Sequence, residues 1–341
     1  MSPRVCSSLT MGAQFIHPDV SESTSSTLST RGGWLHRFAA FTAACTWILI
    51  WAGGLVTSTE SGLAVPDWPL SYGMLMPPMV GGILYEHGHR MVATLVGLLT
   101  TILAVWLWRS ESRLWMRRLG AAALAMVITQ GVLGGITVIF LLPTPVSVAH
   151  ATLAQSFFCL VVLLAFATSG EWETAIGRSD RARPPLRVVA AIATAAVYLQ
   201  LILGATVRHT GAALAIPDFP LAFGGLIPPL DSAAVSIHFA HRLFALAVAG
   251  SLAWLVVCIW QRHRDDPRFV RPAIAISCLV VLQILLGGSI VWTSRAVFPA
   301  TAHVATGALL LAGSWLVTLR ASIHLTPSAG TEMCSVALVE T

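Results

Sequence analysis

Charged side chains are scarce in this sequence. Only 10% of its 341 residues are Asp, Glu, Lys or Arg, whereas 56% are hydrophobic. A soluble domain carries about a quarter charged residues, so this composition excludes an ordinary soluble protein and predicts an integral membrane protein. Lysine is absent altogether, since all 20 basic residues are arginine, and this absence carries no functional information.

Cysteine patterns that would indicate a disulfide framework or a zinc site are also lacking. Of the six cysteines, Cys6 and Cys334 lie in polar tails and the other four lie within apolar runs, with no C-x-x-C spacing. We therefore expect thiols that act as small buried or tail residues. The first thirty-odd residues lack the apolar core of a cleaved signal peptide, which predicts a flexible tail followed by an uncleaved insertion helix.

Long apolar runs dominate what is present. A helix needs about 20 apolar residues to cross roughly 30 Å of hydrocarbon, and helices satisfy every backbone group where no water is available. Eight segments qualify, and they predict an all-α membrane protein with eight spans: roughly 35–57, 88–108, 119–140, 146–168, 187–207, 239–260, 272–293 and 299–320.

Arginine placement predicts the orientation of these spans. Fourteen arginines fall shortly before span 1 or in the links after spans 2, 4 and 6. The opposite side has only Arg90, Arg208, Arg242 and Arg295, all beside span ends. By the positive-inside rule, both termini are cytoplasmic and the long links after spans 1 and 5 are external.

The apolar part of the chain contains an internal repeat. The stretch "VPDWPL" after span 1 returns as "IPDFPL" after span 5, with Asp67 and Asp218 separated by 151 residues. The pairs His89–Arg90 and His241–Arg242 are separated by 152 residues, and the stretches "TQGVLGGITV" and "PVSVAHATLA" have counterparts at 153 residues. So many matches at a nearly constant offset indicate a duplicated unit.

The repeat predicts the domain layout. Two tandem four-helix bundles, residues 34–170 and 187–321, should be related by a pseudo-twofold axis along the membrane normal, because each unit has an even number of spans. A cytoplasmic linker (171–186) joins them, with a flexible cytoplasmic tail at 1–33 and another cytoplasmic tail at 322–341.

Repeat-matched histidines form the candidate site. Two imidazoles at the same depth on different helices of a bundle suit the two axial positions of a heme iron. Neutral imidazole supplies the lone pair, and the spacing does not fit tetrahedral zinc. Each histidine alone is more simply an interface residue, but recurrence in register favours the metal role for His89, His150, His241 and His303.

The remaining histidines divide into three groups. His87 and His238, which match at 151 residues, either line a propionate or substrate entrance or are plain interface residues. His209 has no match and receives no role. Solvated positions are expected for His17, His36, His263 and His324.

Glu86 makes the two units unequal. It aligns with Ser236 or Ile237, depending on where a one-residue gap falls, so only the first unit has a carboxylate three residues before its candidate ligand. Such a carboxylate at a partly apolar mouth is suited to moving protons near neutral pH. The alternative is a salt bridge to Arg90 or an interface charge.

Two matched arginines and two matched loops surround these histidines. Arg90 and Arg242 are expected to pair with heme propionates, or alternatively to snorkel to the interface. The prolines around Asp67 and Asp218 predict a rigid loop, which the aspartates hold as hydrogen-bond acceptors rather than as catalysts. Trp68 and Phe219 are expected to anchor the loop at the interface. Close approach of helices or of a flat macrocycle is predicted at Gly134–Gly135 and Gly287–Gly288.

Taken together, these features resemble the heme A synthase family of membrane enzymes, which oxidise the C8 methyl of heme O to a formyl group. The resemblance covers residues 35–320. It rests on E-x-x-H-R at Glu86–Arg90, "GGLVTSTESGL" at the end of span 1, the second "HR" at His241–Arg242, and the histidines His150 and His303.

The resemblance implies a role for each of these side chains. His89 and His150 would flank the substrate heme O, while His241 and His303 would be the axial ligands of a heme b cofactor. Glu86 would assist proton transfer or stabilise a cationic intermediate. Two courses stay open: successive hydroxylation of the methyl group, or electron removal followed by attack of water.

The resemblance also implies a setting and partners. The setting is the bacterial inner membrane, with the heme sites toward the outer face. The partners are heme O synthase and cytochrome oxidase assembly factors, and the family is compatible with a homo-oligomer. No nucleic acid is expected, and the electron carrier is left unspecified.

One departure from the family pattern lies in the first external loop. Some members carry a cysteine pair there, whereas residues 57–86 contain none, so a thiol–disulfide step cannot operate in this chain. Two other classes compete with the enzyme. A diheme b-type cytochrome taking electrons from quinol shares the four histidines but has no use for Glu86. A repeat-built transporter would show polar groups at mid-span, and these spans have almost none.

Overall fold

The computed structural model describes residues 21–327, with side-chain surroundings from residue 33 to residue 325. Its elements, in chain order, are α1 (Ser21–Ser58), α2 (Gly82–Ser110), α3 (Leu114–Ile139), α4 (Thr144–Ala167), α5 (Gly170–Glu173), β1 (Arg178–Asp180), α6 (Leu186–His209), α7 (Ala233–Arg262), α8 (Pro267–Trp292), α9 (Val297–His324) and β2 (Leu325–Pro327). Every helix except the one-turn α5 is long and apolar enough to cross a membrane, α1 through its part Gly33–Ser58. The prediction of an all-α protein with eight spans is confirmed.

Local sequence signals explain several helix starts. Ser232 accepts a hydrogen bond from the backbone N–H of Val235 and so caps α7, while Asp266 accepts one from Arg268 at the start of α8. Pro267 follows at the first position of α8, where its missing N–H costs nothing.

The second helix of each half begins earlier than its apolar run. Helix α2 starts at Gly82 rather than near residue 88, and α7 starts at Ala233 rather than near residue 239. The polar stretch "YEHGHR" therefore lies within the first turns of α2. Its charged side chains bond to one another and to loop backbone, which lets the helix extend past the apolar segment.

The helices pack as two groups of four. Helices α1–α4 surround one apolar core, which includes Val96, Leu103 and Leu164, and α6–α9 surround another, which includes Leu252, Phe269 and Leu311. Across the boundary, α1 packs on α9 and α4 packs on α6, while α4 and α9 also touch. These pairings are those that a twofold relation between the halves requires, and the pseudo-symmetry itself stays a prediction.

Large apolar side chains cover the outer surface of both groups. Ile128, Leu246 and Val281 are each more than half exposed, as are many other aliphatic and aromatic residues. Such a continuous apolar surface is unfavourable in water and is accommodated by lipid acyl chains.

The two ends of the bundle carry different connections. We call the end that bears residues 59–81 and 210–232 the loop end, and the end that bears residues 168–185 the linker end. At the linker end, β1 pairs in parallel with β2. Glu171 binds Arg320 through both carboxylate oxygens, at 2.8 and 2.9 Å, so the linker is joined to α9 by an ion pair as well as by strand pairing.

Three findings concern the ends of the chain. The expectation that His324 is solvated is wrong: it is buried, 3.3 Å from Glu171, because the linker folds over the end of α9. Helix α1 begins at Ser21, within the segment predicted as a flexible tail, since an established helix extends at little cost. His17, Cys6 and Cys334 lie outside the described residues.

Replacement of Gly120 by valine should separate α2 from α3. A Cβ atom at this buried glycine would lie 3.0 Å from Leu107 Cδ1 and 3.5 Å from Ala104 Cα. We expect a loss of about 1–3 kcal/mol in the free energy of unfolding, the usual cost of overpacking, measured by denaturation in detergent. Gly131→Val in the same helix is the control, because nothing lies within 4 Å of its Cβ position. Equal stability of the two variants would contradict the packing described for this helix pair.

Candidate functional site

Each of the four repeat-matched histidines lies against a glycine of the preceding helix. His89 on α2 faces Gly53 on α1, where an added Cβ would approach the ring atom Cε1 to 3.2 Å. The same arrangement recurs for His150 on Gly134 at 3.4 Å, His241 on Gly204 at 3.1 Å and His303 on Gly287 at 3.3 Å. A Cβ at Gly53, Gly204 or Gly287 would be tight enough to make the imidazole shift, whereas one at Gly134 would be in ordinary contact, so the rings pack closely on the glycine backbone.

The imidazoles form two pairs. In the first half His89 lies close enough to His150 for their protonated forms to repel each other, and in the second half the same holds for His303 and His241. The Nδ1 atoms of His89, His150 and His303 are enclosed, with no hydrogen-bond partner among the described residues. Their Nε2 atoms are not enclosed in this way and remain accessible.

Glutamine side chains fix the helix backbone at three of these histidines. Gln130 donates to the backbone oxygen of His150 at 2.9 Å, and Gln283 donates to that of His303 at 3.0 Å. Gln200 donates to the backbone oxygen of His241 at 3.0 Å and also lies 3.2 Å from Nδ1 of its ring.

Gln200 is a site residue that the sequence comparison missed. Its counterpart 151 residues earlier is Leu49, so the repeat does not mark it by identity. The one signal that the sequence offers is the mismatch itself: a leucine in the first half is replaced by a glutamine at a position that faces a candidate ligand. A hydrogen-bonding partner beside a ligating imidazole orients the ring and tunes its basicity, and only the second half has one.

The donor set fits an iron porphyrin better than a bare metal ion. A porphyrin supplies four in-plane nitrogen ligands, so the protein needs to provide no more than two imidazoles. Among the described residues no three His, Cys, Asp or Glu side chains form a metal-binding group, and the imidazoles come in twos. The accessible Nε2 atoms and the glycine positions behind the rings fit this requirement.

Glu86 is buried beside the first pair. It lies three residues before His89, on the same side of α2, and is only 3% exposed. Its Oε1 accepts from Arg90 Nη2 at 2.6 Å, and its Oε2 accepts from the backbone N–H of Val65 at 2.8 Å. The salt bridge to Arg90, one of the two interpretations made from the sequence, is therefore present, and the proton-transfer role of Glu86 stays a prediction.

The counterpart of Glu86 in the second half is His238, not Ser236 or Ile237. His238 Nδ1 lies 3.3 Å from the backbone N of Ile216, and its Nε2 lies 3.1 Å from Arg242 Nε. A neutral imidazole has one acceptor nitrogen, so it accepts from one of these two donors at a time. Both residues lie four positions before the matched arginine, so the one-residue gap in the repeat falls before Glu86, and the pairing of His87 with His238 is wrong. The two halves therefore still differ at this position, because the first has a carboxylate and the second has an imidazole.

His87 and His209 occupy different surroundings. His87 is buried away from His89 on α2, with Nδ1 2.8 Å from Ser71 Oγ and with Nε2 enclosed and unpartnered among the described residues. His209 ends α6 at the boundary between the halves, where its backbone oxygen accepts from Thr144 and an electrostatic interaction connects it to His150.

The matched arginines hold the loops. Arg90 Nη1 donates to the backbone oxygens of Asp67 at 2.7 Å and Leu70 at 2.9 Å, and Arg242 Nη1 donates to those of Asp218 at 2.8 Å and Leu221 at 3.0 Å. These contacts fasten each loop to the helix that carries a candidate ligand. Pairing of the same two arginines with propionates stays a prediction.

Asp67 and Asp218 hold the tips of the loops, as the sequence indicated. Asp67 accepts from the backbone N–H groups of Tyr72 and Gly73, both of which have positive φ, and Asp218 accepts from Phe223 and Gly224 in the same way. The bonds from Gly73 and Tyr72 lower the pKa of the Asp67 carboxyl below its ordinary value. These aspartates are structural acceptors.

Trp68 and Phe219 anchor the loops on helices of their own halves. An added Cβ at Gly135 would lie 2.6 Å from Trp68 Cδ2, and one at Gly288 would lie 3.0 Å from Phe219 Cδ1. The aromatic ring of the loop therefore packs against the second glycine of each Gly–Gly pair, and an imidazole packs against the first. Both close approaches depend on the missing side chains.

Comparison with known proteins gives a consistent family result. Residues 81–314 match the family model COX15-CtaA, described as cytochrome oxidase assembly protein. A heme A synthase of Halalkalibacterium halodurans is 34% identical over 78% of this chain and 90% of its own length. Those of Symbiobacterium thermophilum (36% identity, 67% of this chain and 76% of its own length) and Shouchella clausii (31%, 77% and 88%) are also similar.

Replacement of Gly204 by valine should displace the His241 imidazole, because the Cβ position is already 3.1 Å from its ring. We expect heme binding by the second half to weaken about tenfold or more, as for other disturbances around a metal ligand, measured by absorbance of the purified protein. Gly250→Val on α7, where nothing lies within 4 Å, should bind normally. Normal heme content in the Gly204 variant would contradict the role given to this glycine.

Proposed function

This chain belongs to the COX15-CtaA family of cytochrome oxidase assembly proteins, and we propose that it acts as a membrane oxidoreductase that converts heme O to heme A. The reaction oxidises the C8 methyl of heme O to a formyl group and supplies heme A to terminal oxidases. The observation that carries the proposal is a pair of glycine-backed imidazoles in each half, with a buried carboxylate beside only one pair.

The first half is the proposed substrate half. His89 and His150 would hold the iron of heme O between α2 and α4, close to Glu86. The Glu86 carboxylate is fixed by two donors, and each of its oxygens keeps a lone pair for a proton or for positive charge that develops on the substrate. A carboxylate held in this way can accept a proton without first reorganising.

The second half is the proposed cofactor half. His241 and His303 would hold heme b, with the Gln200 amide beside His241. When bound, this heme supplies one-electron redox chemistry, and the protein contributes ligation, orientation and tuning. His238, in place of a carboxylate, closes the loop without offering a comparable acid group.

The proposed setting is the bacterial inner membrane, with both termini cytoplasmic and both heme sites toward the outer face. Arginine placement supports this orientation. Heme O synthase and oxidase assembly factors are the proposed partners, because heme O and heme A are both poorly soluble and need transfer between membrane proteins. The comparisons give no support to a diheme cytochrome that takes electrons from quinol.

Glu86→Gln should abolish turnover while leaving the bound heme b. Loss of the acid–base group should lower heme A formation by about a hundredfold or more. The measurement is chromatography of pigments extracted from cells that also make heme O. Glu60→Gln is the control, since Glu60 is an exposed glutamate paired only with Arg295. A normal yield of heme A in the Glu86 variant would refute the chemical role of this carboxylate.

His241→Ala and His303→Ala should each remove or shift the low-spin heme b spectrum, because each deletes one axial ligand. His263→Ala, at the linker end of α7, should leave the reduced spectrum unchanged. Retention of the normal low-spin spectrum in both ligand variants would defeat the cofactor assignment, whatever the enzyme activity.

A further inference from the structure

Arg208 is a half-buried guanidinium without an anionic partner. It lies in the last turn of α6, and its Nη2 donates to the backbone oxygen of Gly54 and to Ser58 Oγ on α1, both at 2.7 Å. Within residues 33–325 no carboxylate is paired with it, and no acceptor is hydrogen-bonded to its Nε or Nη1. A charged group taken out of water is expected to have a counter-ion.

The surroundings of Arg208 add positive charge rather than remove it. Arg295 lies close enough to repel Arg208 electrostatically. Arg295 itself is paired with Glu60, a 76% exposed carboxylate, at 2.9 Å. Arg208 is therefore a cation without a paired anion among the described residues, with donor atoms still available, and suits a carboxylate ligand.

The position of Arg208 relates it to the second-half histidines. Gly204, which backs the His241 imidazole, is four residues earlier on α6, so the two residues lie on the same face one turn apart. An electrostatic interaction also connects Arg208 to His303. Arg208 thus lies near His303 and one turn beyond the glycine that backs His241, nearer the loop end than Gly204.

The first half has no cation at this position. The counterpart of Arg208 is Thr57, which lies one turn after Gly53, the glycine that backs His89. Its hydroxyl donates to the backbone oxygen of Gly53 at 3.2 Å. The matched arginines Arg90 and Arg242 do not compensate, because their Nη atoms are bonded to loop oxygens.

We propose that Arg208 binds a propionate carboxylate of the heme held by His241 and His303, and that Thr57 leaves the first-half porphyrin without an equivalent anchor. The inference rests on the proposed function and deepens it. A charge-assisted bond in the second half retains the cofactor, while its absence in the first half lets substrate arrive and product leave.

A competition between two pigments tests the anchor. The full-length protein with His89→Ala and His150→Ala, which confines binding to the second half, is incubated with equimolar heme b and heme b dimethyl ester. Bound pigment is then extracted and quantified. We expect a preference of about tenfold or more for the free dicarboxylate, which Arg208→Gln reduces to near unity because the ester cannot use the cation.

Two comparisons decide between a ligand contact and a merely structural role. Arg295→Gln removes a nearby positive charge and should keep the preference, whereas an equal loss there would overturn the proposal. If Arg208→Gln weakens heme b and its ester by the same factor, Arg208 only ties α6 to α1 and the proposal is wrong.

A gain-of-function variant keeps the test decisive if Arg208→Gln does not accumulate. Thr57→Arg, in a His241→Ala and His303→Ala background, should raise the preference of the first half for the free dicarboxylate, and no rise would overturn the proposal. A failure of the proposed function can be told apart from a failure of the Arg208 proposal. If the proposed function is wrong, the protein with His89→Ala and His150→Ala binds neither heme b nor its dimethyl ester.

Discussion

An imidazole packs most closely on a neighbouring helix where that helix presents a glycine. This arrangement occurs four times in the chain, with Gly53, Gly134, Gly204 and Gly287 behind the four rings. The rest of the site depends on it. The enclosed Nδ1 atoms of His89, His150 and His303 leave Nε2 of those rings for a ligand, and Gln200 lies beside Nδ1 of His241. Glutamine side chains hold the helix backbone at three of the four histidines. The loops are fastened to the same helices by Arg90 and Arg242.

Within this repeated frame, the halves differ at a few positions that face the site. The first half has a carboxylate at position 86, whereas the second half has an amide at position 200 and a guanidinium at position 208. These differences follow one pattern. The first half gains a group suited to proton chemistry, and the second gains groups suited to holding and tuning a bound porphyrin. Under the proposed function, these differences would let a duplicated scaffold serve a substrate half and a cofactor half without a change of architecture.

The sequence predicted the features that depend on composition and periodicity. Eight spans, the tandem repeat and the candidate histidines follow from apolar run length and from matched residues. The structural role of Asp67 and Asp218 also followed, because proline on both sides restricts the loop.

The features that the sequence did not predict depend on which helix faces come together. The equivalence of Glu86 and His238 was missed because histidine was matched to histidine, which placed the one-residue gap of the repeat just before the arginines. The hydrogen bonds fix the alignment instead, since Glu86 and His238 each lie four residues before the matched arginine. Gln200 and Arg208 are mismatches in the repeat, and their meaning appears only when α6 is placed against α7 and α1. The burial of His324 required the linker to fold over α9, which no local pattern indicates.

The exchange of Glu86 for His238 has an evolutionary consequence. Both side chains lie within hydrogen-bond distance of a loop N–H and of the arginine four residues later, so either one can close the loop. After gene duplication, this position was therefore free to change its acid–base character in one copy while the fold tolerated both versions. Divergence of the two copies could therefore begin at this one position.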